Sequence, residues 1–336
     1  MNKDAKPRVL ITGGLGYIGS HCVRKLDALG YEIGIIDNKS TGNTNVLTLV
    51  DGVYYKHCDI RDGTAVIEVI RQFQPSTIIH LAGKAYVEES FRCPFEYYSH
   101  NVVGSLRLIE AAVHCGIKRF IFSSSCSVYG TTTDNPVTEI TKTNPISPYA
   151  HTKLVVEDFL KYIAGTNNIS VAVLRYFNVA GASDDLLTGE DHTPETHLIP
   201  LVIRSALNPS NTQIKVFGTD HITKDGTCER DYLHIEDLSE AHAKAVEYLD
   251  TKPQGGSFDI FNLGHGRPYS VTEIIRIAEN ITGCKVNSVP SERRQGDPGS
   301  IYSDTTRAKQ TLYWAPVRSI ESIIKSAYLY EKQKSH

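Results

Sequence analysis

A tyrosine and a lysine four residues apart, Tyr149 and Lys153, are the residue types in this chain whose spacing most directly suggests chemistry. Pro148 suits the first turn of a helix, and residues four apart share one helix face. A cation beside a phenol favours the phenolate and lowers the phenol pKa from its usual value of about 10. The pair therefore predicts a base that removes a proton from a hydroxyl group. The alternative is an ordinary helix with an exposed lysine and a packed tyrosine.

A glycine-rich loop near the N-terminus follows a predicted strand. Residues 8–12 are a short apolar run, and Gly13, Gly16 and Gly19 come after it with GxxGxxG spacing, one residue longer than the usual GxGxxG. Small residues let the backbone approach a pyrophosphate, and the N–H groups at the start of the next helix bind it. The loop alone is compatible with a tight turn, but its context favours a dinucleotide site.

The helix after this loop leads to a second strand that ends at an acidic residue. We expect the helix to bury a face made of Ile18, Cys22, Leu26 and Leu29. The strand at 32–36 is followed by Asp37, whose carboxylate can accept hydrogen bonds from an adenosine ribose. Asp37 would repel a 2′-phosphate and no arginine follows it, so the sequence predicts NAD rather than NADP.

Strand and helix patterns alternate to about residue 178 and predict an α/β fold with a doubly wound parallel sheet of Rossmann type. Ligands bind beyond the carboxyl ends of such strands. The residues at those ends are Asp59 and Ile60 after strand 53–58, Leu81 to Gly83 after strand 77–81, and Ser123 to Ser125 after strand 119–123. Asp59 is expected either near adenine or as a helix N-cap. One of the serines is expected to face a substrate, unless all three only form a turn.

The second half of the chain has a different texture. Long loops at 182–196 and 218–229 separate short strands, with helices predicted at 198–207, 235–249 and 271–282. We therefore expect an NAD-binding domain over 1–178 and a smaller α/β substrate lobe over 179–336, with some segments returning to the first domain. Arg230, Arg293 and Arg294 suit phosphate binding, although any one of them could be a solvated surface arginine.

Composition excludes several classes of protein. The 336 residues carry a net charge of −3 with both signs mixed, which argues against a nucleic-acid groove or a membrane-binding face. Residues 1–7 are polar and short, so we expect no signal peptide. The seven cysteines are scattered without CxxC spacing, which argues against a disulfide framework or a zinc site and predicts a cytoplasmic protein.

With these motifs in place, the chain resembles the extended short-chain dehydrogenase/reductase family, and within it the 4-epimerases of UDP-glucose and UDP-galactose. The resemblance covers nearly the whole chain. It lies in the segments 12–21, 123–130, 147–153, 174–178, 189–191, 225–227, 230–232 and 293–297. Motifs in this order are typical of nucleotide-sugar chemistry.

The resemblance implies roles for individual residues. Tyr149 is the catalytic base, Lys153 lowers its pKa, and Ser125 hydrogen-bonds the reacting hydroxyl. Residues implied to bind NAD are Gly13, Gly16, Tyr17, Ile18, Gly19, Asp37, Asn38, Asp59, Ile60, Leu81, Ala82, Gly83, Lys84, Asn101, Ser123, Tyr149, Lys153, Tyr176 and Phe177. Residues implied to bind the UDP-sugar are Ser125, Tyr149, Asn178, His197, Leu198, Phe217, Arg230, Arg294, Asp297 and Ile301, and no metal is implied.

The implied reaction is inversion at C4 of a UDP-sugar through a transient 4-keto intermediate, with NAD regenerated in each turnover. His100 precedes Asn101 where relatives often have asparagine, and His197 takes the place of a phosphate-binding asparagine. Ile301 is of intermediate bulk at a position linked to sugar size. Residues 85–87 and 89–90 are also similar to UDP-pentose 4-epimerases, so the sequence leaves UDP-pentoses as well as UDP-N-acetylhexosamines open as substrates.

Other members of the same family carry out different reactions. Sugar-nucleotide 4,6-dehydratases carry Asp-Glu where this chain has Cys126 and Ser127. UDP-glucuronate decarboxylases carry glutamate at the position of Ser127. Without those carboxylates an elimination lacks its proton donors. A non-catalytic NAD-sensing module would not need Ser125, Tyr149 and Lys153 together. Relatives pair through helices at about 94–115 and 148–164, so the resemblance also implies a homodimer.

Overall fold

The computed structural model describes residues 6–252 and 255–334. Residues 1–5, on which the expectation about a signal peptide largely rests, lie outside the described residues. The strands are β1 (Arg8–Thr12), β2 (Glu32–Asp37), β3 (Tyr54–His57), β4 (Thr77–His80), β5 (Arg119–Ser123), β6 (Ser170–Tyr176), β7 (Asn178–Ala180), β8 (Ile214–Phe217), β9 (Glu229–His234), β10 (Ser257–Leu263), β11 (Pro268–Ser270), β12 (Ser288–Ser291) and β13 (Ser300–Ile301).

The α-helices flank these strands. They are α1 (Tyr17–Ala28), α2 (Val46–Leu49), α3 (Gly63–Phe73), α4 (Val87–Arg92), α5 (Pro94–Tyr97), α6 (Gly104–His114), α7 (Pro148–Asn167), α8 (Leu198–Leu207), α9 (Ile235–Asp250), α10 (Val271–Thr282), α11 (Thr306–Thr311) and α12 (Ile320–Lys334). A π-helix at Tyr98–Val103 joins α5 to α6, and a 3₁₀ turn at Cys126–Tyr129 follows β5.

Seven parallel strands form the main sheet, in the order β10-β6-β5-β4-β1-β2-β3. Its central strands are almost wholly buried because helices cover both faces, which is why they read as continuous apolar runs. One face packs on α1 and α9 and the other on α3, α6 and α7. This arrangement confirms the predicted Rossmann-type α/β fold. The edge strand β10 comes from beyond residue 179 and pairs with β6 along seven residues.

Two of the predicted helix faces are wrong in detail. Leu29 lies just past the last turn of α1 and is 49 % exposed, because Val23 fills the buried position instead. The helix expected over 94–115 is interrupted by the π-helix, which widens one turn and shifts the facing residues. Apolar spacing predicts Val102, Leu106, Ile109 and Val113 on the inner face of this helix, but only Ile109 is buried and the other three are partly buried. Other buried residues of the segment include Asn101, Ser105, Leu108 and Ala112.

The remaining strands form two small sheets beside the main one. β9 pairs with β7, β11 and β13, and β8 pairs with β12. A separate apolar cluster, with Val202, Ile274 and Ile323 at its centre, holds α8, α10 and α12 together. None of the helices in the described part of the chain combines the length and apolar content needed to span a bilayer.

Candidate active site

The first turn of α7 places Tyr149 and Lys153 on one buried face. Ser147 caps the helix by accepting a hydrogen bond from the Ala150 N–H at 3.2 Å, and Pro148 occupies the first helical position. Tyr149 and Lys153 are each only 7 % exposed. The Lys153 ammonium donates to the Ser123 carbonyl at 2.8 Å. The helix cap therefore sets both side chains against the carboxyl end of β5, where the sequence predicts them.

The pKa values of these two side chains do not follow the expectation that Lys153 lowers the pKa of Tyr149. Burial raises the pKa of Tyr149 to about 12, and a hydrogen bond with Ser125 offsets only part of that rise. Burial lowers the pKa of Lys153 to about 8, against the opposing charge of Glu157. A buried site disfavours both the phenolate of Tyr149 and the ammonium of Lys153. The spacing of the two residues alone cannot reveal this burial. A further positive charge is needed for Tyr149 to act as a base near neutral pH.

Ser125 lies at the end of β5 and starts the 3₁₀ turn. Its hydroxyl accepts hydrogen bonds from the Ser127 N–H at 3.2 Å and from the Ser127 hydroxyl at 2.9 Å. The Ser125 side chain is close enough to Tyr149 to lower the pKa of its phenol, so the three predicted catalytic residues Ser125, Tyr149 and Lys153 meet in one place. Ser127, where related enzymes carry a carboxylate, orients Ser125 here.

The glycine loop fits a dinucleotide. A Cβ on Gly13 would lie 2.7 Å from the Ala82 nitrogen, and a Cβ on Gly19 would lie 2.1 Å from the Gly13 carbonyl oxygen. Side chains are excluded at both places, so the loop stays tightly folded against β4. The start of α1 at Gly16 has no side-chain cap and no acidic residue in its first turn. Its free N–H groups remain available for a pyrophosphate.

Asp37 stands at the end of β2, 8 % exposed. It accepts hydrogen bonds from the backbone N–H groups of Leu15 at 3.1 Å and Lys39 at 2.7 Å. These bonds tie the carboxylate to the glycine loop. The side chain of Asn38 donates to Asp59 at 3.2 Å, so the ends of β2 and β3 meet beside the loop. Asp59 is not the N-cap of α3, because Asp62 holds that position. Asp59 binds Arg61 instead.

Asn101 is presented by the π-helix, a feature often found at functional sites. Its side-chain oxygen accepts from the Lys84 N–H at 2.8 Å, and its amide donates to the Thr152 hydroxyl at 3.1 Å on α7. A Cβ on Gly83 would lie 3.0 Å from Asn101 Oδ1 and 3.9 Å from Lys153 Nζ. The segment Leu81 to Lys84 therefore passes close to the catalytic helix, and the Ala82 N–H reaches the Thr12 hydroxyl at 3.4 Å.

The other residues predicted to bind NAD lie around this core with side chains engaged elsewhere. The Tyr17 hydroxyl donates to the Gly181 carbonyl at 2.7 Å, linking α1 to the loop after β7. Ile18 is partly exposed, and Ile60 packs where Gly104 leaves room. The Tyr176 ring lies 6.3 Å from that of His242. Phe177 is buried in an apolar cluster with Tyr129.

A small sheet gathers three of the residues predicted to bind the sugar nucleotide. Asn178 on β7 pairs with Tyr232 on β9, and Ile301 on β13 pairs with Arg230 on β9. Arg230 forms an ion pair with Asp297. Ile301 is 3 % exposed and packs with Val128 and Phe177. No local pattern in the sequence predicts that these three segments share a sheet.

Phe217 and Arg294 form a second group. The Arg294 guanidinium lies 4.1 Å from the centre of the Phe217 ring. Arg294 Nε is buried without a hydrogen-bond partner, and it lies 3.8 Å from an oxygen of Glu88 on α4. A planar cation over an aromatic ring, with a free donor, suits a flat base and a phosphate. Arg293 instead binds Asp220 at the surface.

His197 stands apart from these groups, at the start of α8 next to Leu198. Its Nδ1 contacts Glu190, and its ring lies 6.2 Å from that of Tyr86. The sequence assigns no role to Glu190, because the prediction about metal sites rests on the spacing of the cysteines alone. It also assigns none to Glu157, although Glu157 follows Lys153 by four residues, so helical spacing already indicated it.

Comparison with known proteins agrees with this fold and site. Residues 9–264 match the model of the NAD dependent epimerase/dehydratase family, and the chain belongs to that family. NAD is the cofactor of the family, and the glycine loop and Asp37 are the places that fit it.

Individual relatives that match nearly the whole chain have names more specific than that of the family. A UDP-glucose 4-epimerase from Rhizobium meliloti is 40 % identical over 97 % of this chain and 98 % of its own. The crystal structure of a UDP-glucose 4-epimerase from Brucella ovis with NAD is 38 % identical, covers 96 % of this chain and 98 % of its own, and superposes with a TM-score of 0.90. The Bifidobacterium longum enzyme with NAD⁺ and UDP is 32 % identical, with 98 % and 99 % covered and a TM-score of 0.92.

Proposed function

We propose that this chain is a UDP-glucose 4-epimerase, which interconverts UDP-galactose and UDP-glucose through a transient 4-keto sugar. The observation that carries the proposal is the meeting of Ser125, Tyr149 and Lys153 at the end of β5, beside a loop that fits a dinucleotide. Relatives named as UDP-glucose 4-epimerases over nearly the whole length support it.

In this proposal the chain's own residues hold and move protons. Tyr149 takes the proton of the sugar 4-hydroxyl and later returns one, while Ser125 keeps that oxygen within hydrogen-bonding distance. NAD, when bound, supplies the acceptor and donor of the C4 hydride, and its oxidised ring is cationic. That charge favours the phenolate and offsets the burial that holds the Tyr149 pKa near 12. Tyr149 is then more readily ionised, and so more available as a base, before hydride transfer than after it.

Residues 1–178 are proposed to bind NAD, and residues 179–336 to bind most of the UDP-sugar, with β10 belonging to the first domain. Phe217 and Arg294 would receive the uracil and a phosphate, and Arg230, Asn178 and Asp297 the diphosphate. Binding of the diphosphate would then require the Arg230–Asp297 ion pair to open, or Arg230 to use its other N–H donors for the phosphate. Free cysteines throughout the described residues favour the cytoplasm.

Separate assays with UDP-galactose, UDP-N-acetylgalactosamine and UDP-xylose test the reaction and the sugar together. We expect UDP-galactose to be converted fastest, without added NAD⁺, because the cofactor is regenerated in each turnover. Ile301 packs into the core rather than leaving an open space, so the N-acetylated sugar should react more slowly. A dehydrated 4-keto product would contradict the proposal, and a faster pentose reaction would move it to UDP-pentoses.

We also propose a homodimer formed through the helices around 94–115 and 148–167. Apolar side chains are unusually exposed there: Phe95 is 90 % exposed, Tyr162 74 % and Val103 47 %. Exposed apolar residues grouped on adjacent helices are typical of an interface. The wild type should sediment at twice the chain mass of 37.2 kDa.

Phe95→Glu should shift the protein toward monomer, because it would bury a charge in the interface. The matched control is Ile140→Glu, which changes an equally exposed residue outside these helices and should leave the mass unchanged. A wild type that sediments only as monomer would exclude the homodimer.

A further inference from the structure

Two histidines and two glutamates converge in the loop between β7 and α8. Glu190, His192, Glu195 and His197 each offer a ligand atom, and these atoms all lie within 4.8 Å of one another. His192 Nδ1 is 3.3 Å from a Glu190 oxygen and 3.7 Å from a Glu195 oxygen. His197 Nδ1 contacts Glu190 and lies 3.7 Å from Glu195. The four side chains therefore surround one small volume.

Hydrogen bonding within the protein leaves this cluster unsatisfied. Glu190 Oε2, Glu195 Oε2 and His192 Nδ1 are buried without a hydrogen-bond partner. The side chains of Glu190 and Glu195 are only 4 % and 1 % exposed. Two buried carboxylates are costly unless they are paired or bound to a metal ion. An orphaned oxygen on each of them indicates that something else completes the site.

The donor set and its spacing fit a tetrahedral metal ion. Nitrogen and oxygen ligands bind Zn²⁺ at about 2.0–2.2 Å, which places tetrahedral ligand atoms about 3.4 Å apart. The separations of 3.3 and 3.7 Å in the cluster are close to that value. Two imidazoles with two carboxylates favour a transition-metal ion over Mg²⁺ or Ca²⁺, which prefer oxygen ligands alone. We propose that Glu190, His192, Glu195 and His197 form a binding site for a structural Zn²⁺ ion.

Such an ion would hold the loop against the NAD-binding half of the chain. The His192 ring packs edge-on against the rings of Tyr17 and Tyr86, at 6.2 and 5.9 Å between centroids. Tyr17 lies in the first turn of α1, next to the glycine loop. Coordination through His197 Nδ1 would leave its Nε2–H as a hydrogen-bond donor. One metal ion would thereby fix the direction of His197 and the start of α8.

A metal-free cluster is the competing explanation. Against the effect of burial, Glu190 and Glu195 raise the pKa of His192 to about 9, and the same carboxylates raise the pKa of His197. Two imidazolium ions would neutralise two carboxylates without any metal. The two explanations differ in one measurable respect: a metal site keeps its Zn²⁺ through gel filtration, and a metal-free cluster does not.

The experiment uses untagged full-length protein, stripped with a chelator and then titrated with Zn²⁺ or Co²⁺ alone. We expect one Zn²⁺ per chain to remain after gel filtration, a higher melting temperature with the metal, and the intense visible bands of tetrahedral Co²⁺. His192→Asn and Glu195→Gln should each weaken zinc binding by about 100-fold or more, since each removes a side chain that binds the metal ion directly. His114→Asn, an exposed histidine on α6, should bind zinc like the wild type.

The metal readouts do not depend on turnover, so they stand apart from the epimerase assay. Wild-type protein that retains no zinc after loading would overturn the proposal. So would unchanged zinc affinity in both ligand variants, provided that their circular dichroism matches that of the wild type. If neither variant folds, the stoichiometry of zinc binding and the Co²⁺ spectrum of the wild type decide the matter.

Discussion

Tyr149→Phe is expected to lower kcat for UDP-galactose by about 100- to 10,000-fold, the range that a positioned general acid or base contributes. The ring is 7 % exposed and its neighbours hold it in place, so the substitution removes a hydroxyl group without creating a cavity. At 1.36 kcal/mol per tenfold change, the barrier should rise by about 3 to 5 kcal/mol. Bound NAD and the affinity for UDP should remain near wild type, since the phenol acts on the reacting hydroxyl.

A Tyr313→Phe variant is the matched control, because Tyr313 is 87 % exposed and lies outside both the site and the helices of the proposed dimer. Its kcat should equal that of the wild type. The pH profile gives a second readout. Deprotonation of Tyr149 is required before proton abstraction, so wild-type kcat/KM should rise with pH on the acid side, and the variant should lose that rise. A Tyr149→Phe enzyme within tenfold of wild type would show that another group is the base.

Local patterns predict the first strands of the main sheet and the glycine loop well, because these elements are close together in the chain. The apolar run of β1, the glycine loop, α1 and Asp37 fall within about thirty residues, and each is positioned by backbone geometry that the sequence expresses directly. The ends of parallel strands then bring Ser125 and Tyr149 together, since β5 and α7 pack side by side. Spacing along the chain is enough to predict that meeting.

Contacts between segments far apart in the chain, and the burial of individual groups, cannot be predicted from local sequence patterns. β10 joins the main sheet from about eighty residues after β6, and nothing in its own sequence states which strand it will pair with. The π-helix that presents Asn101 arises inside an otherwise continuous helical pattern. The rise in the Tyr149 pKa depends on how completely other elements cover the phenol. Likewise, the Glu190 cluster becomes visible only after the loop is folded.

Arg175→Met is expected to lower the free energy of unfolding by about 3–5 kcal/mol, the usual cost of leaving one partner of a buried ion pair uncompensated. The Arg175 and Glu157 side chains are 4 % and 2 % exposed, and Arg175 Nε donates to both Glu157 oxygens at 3.0 and 3.2 Å. Ser124 also donates to Glu157, and Arg175 donates to the Tyr129 hydroxyl at 3.1 Å. The pair thus fixes the catalytic helix to β6 and to the end of β5.

The control for this stability change is Arg107→Met, which breaks an exposed pair with Glu110 and should cost less than about 1 kcal/mol. Urea unfolding measures both variants.

Arg175→Met leaves the buried Glu157 carboxylate without its counter-charge, and that is the source of the expected cost. Adding Glu157→Gln removes the charge and keeps an acceptor for Ser124, so the double variant should recover most of the lost stability. A single variant as stable as wild type at pH 8 would mean that the pair does not hold α7 to the sheet.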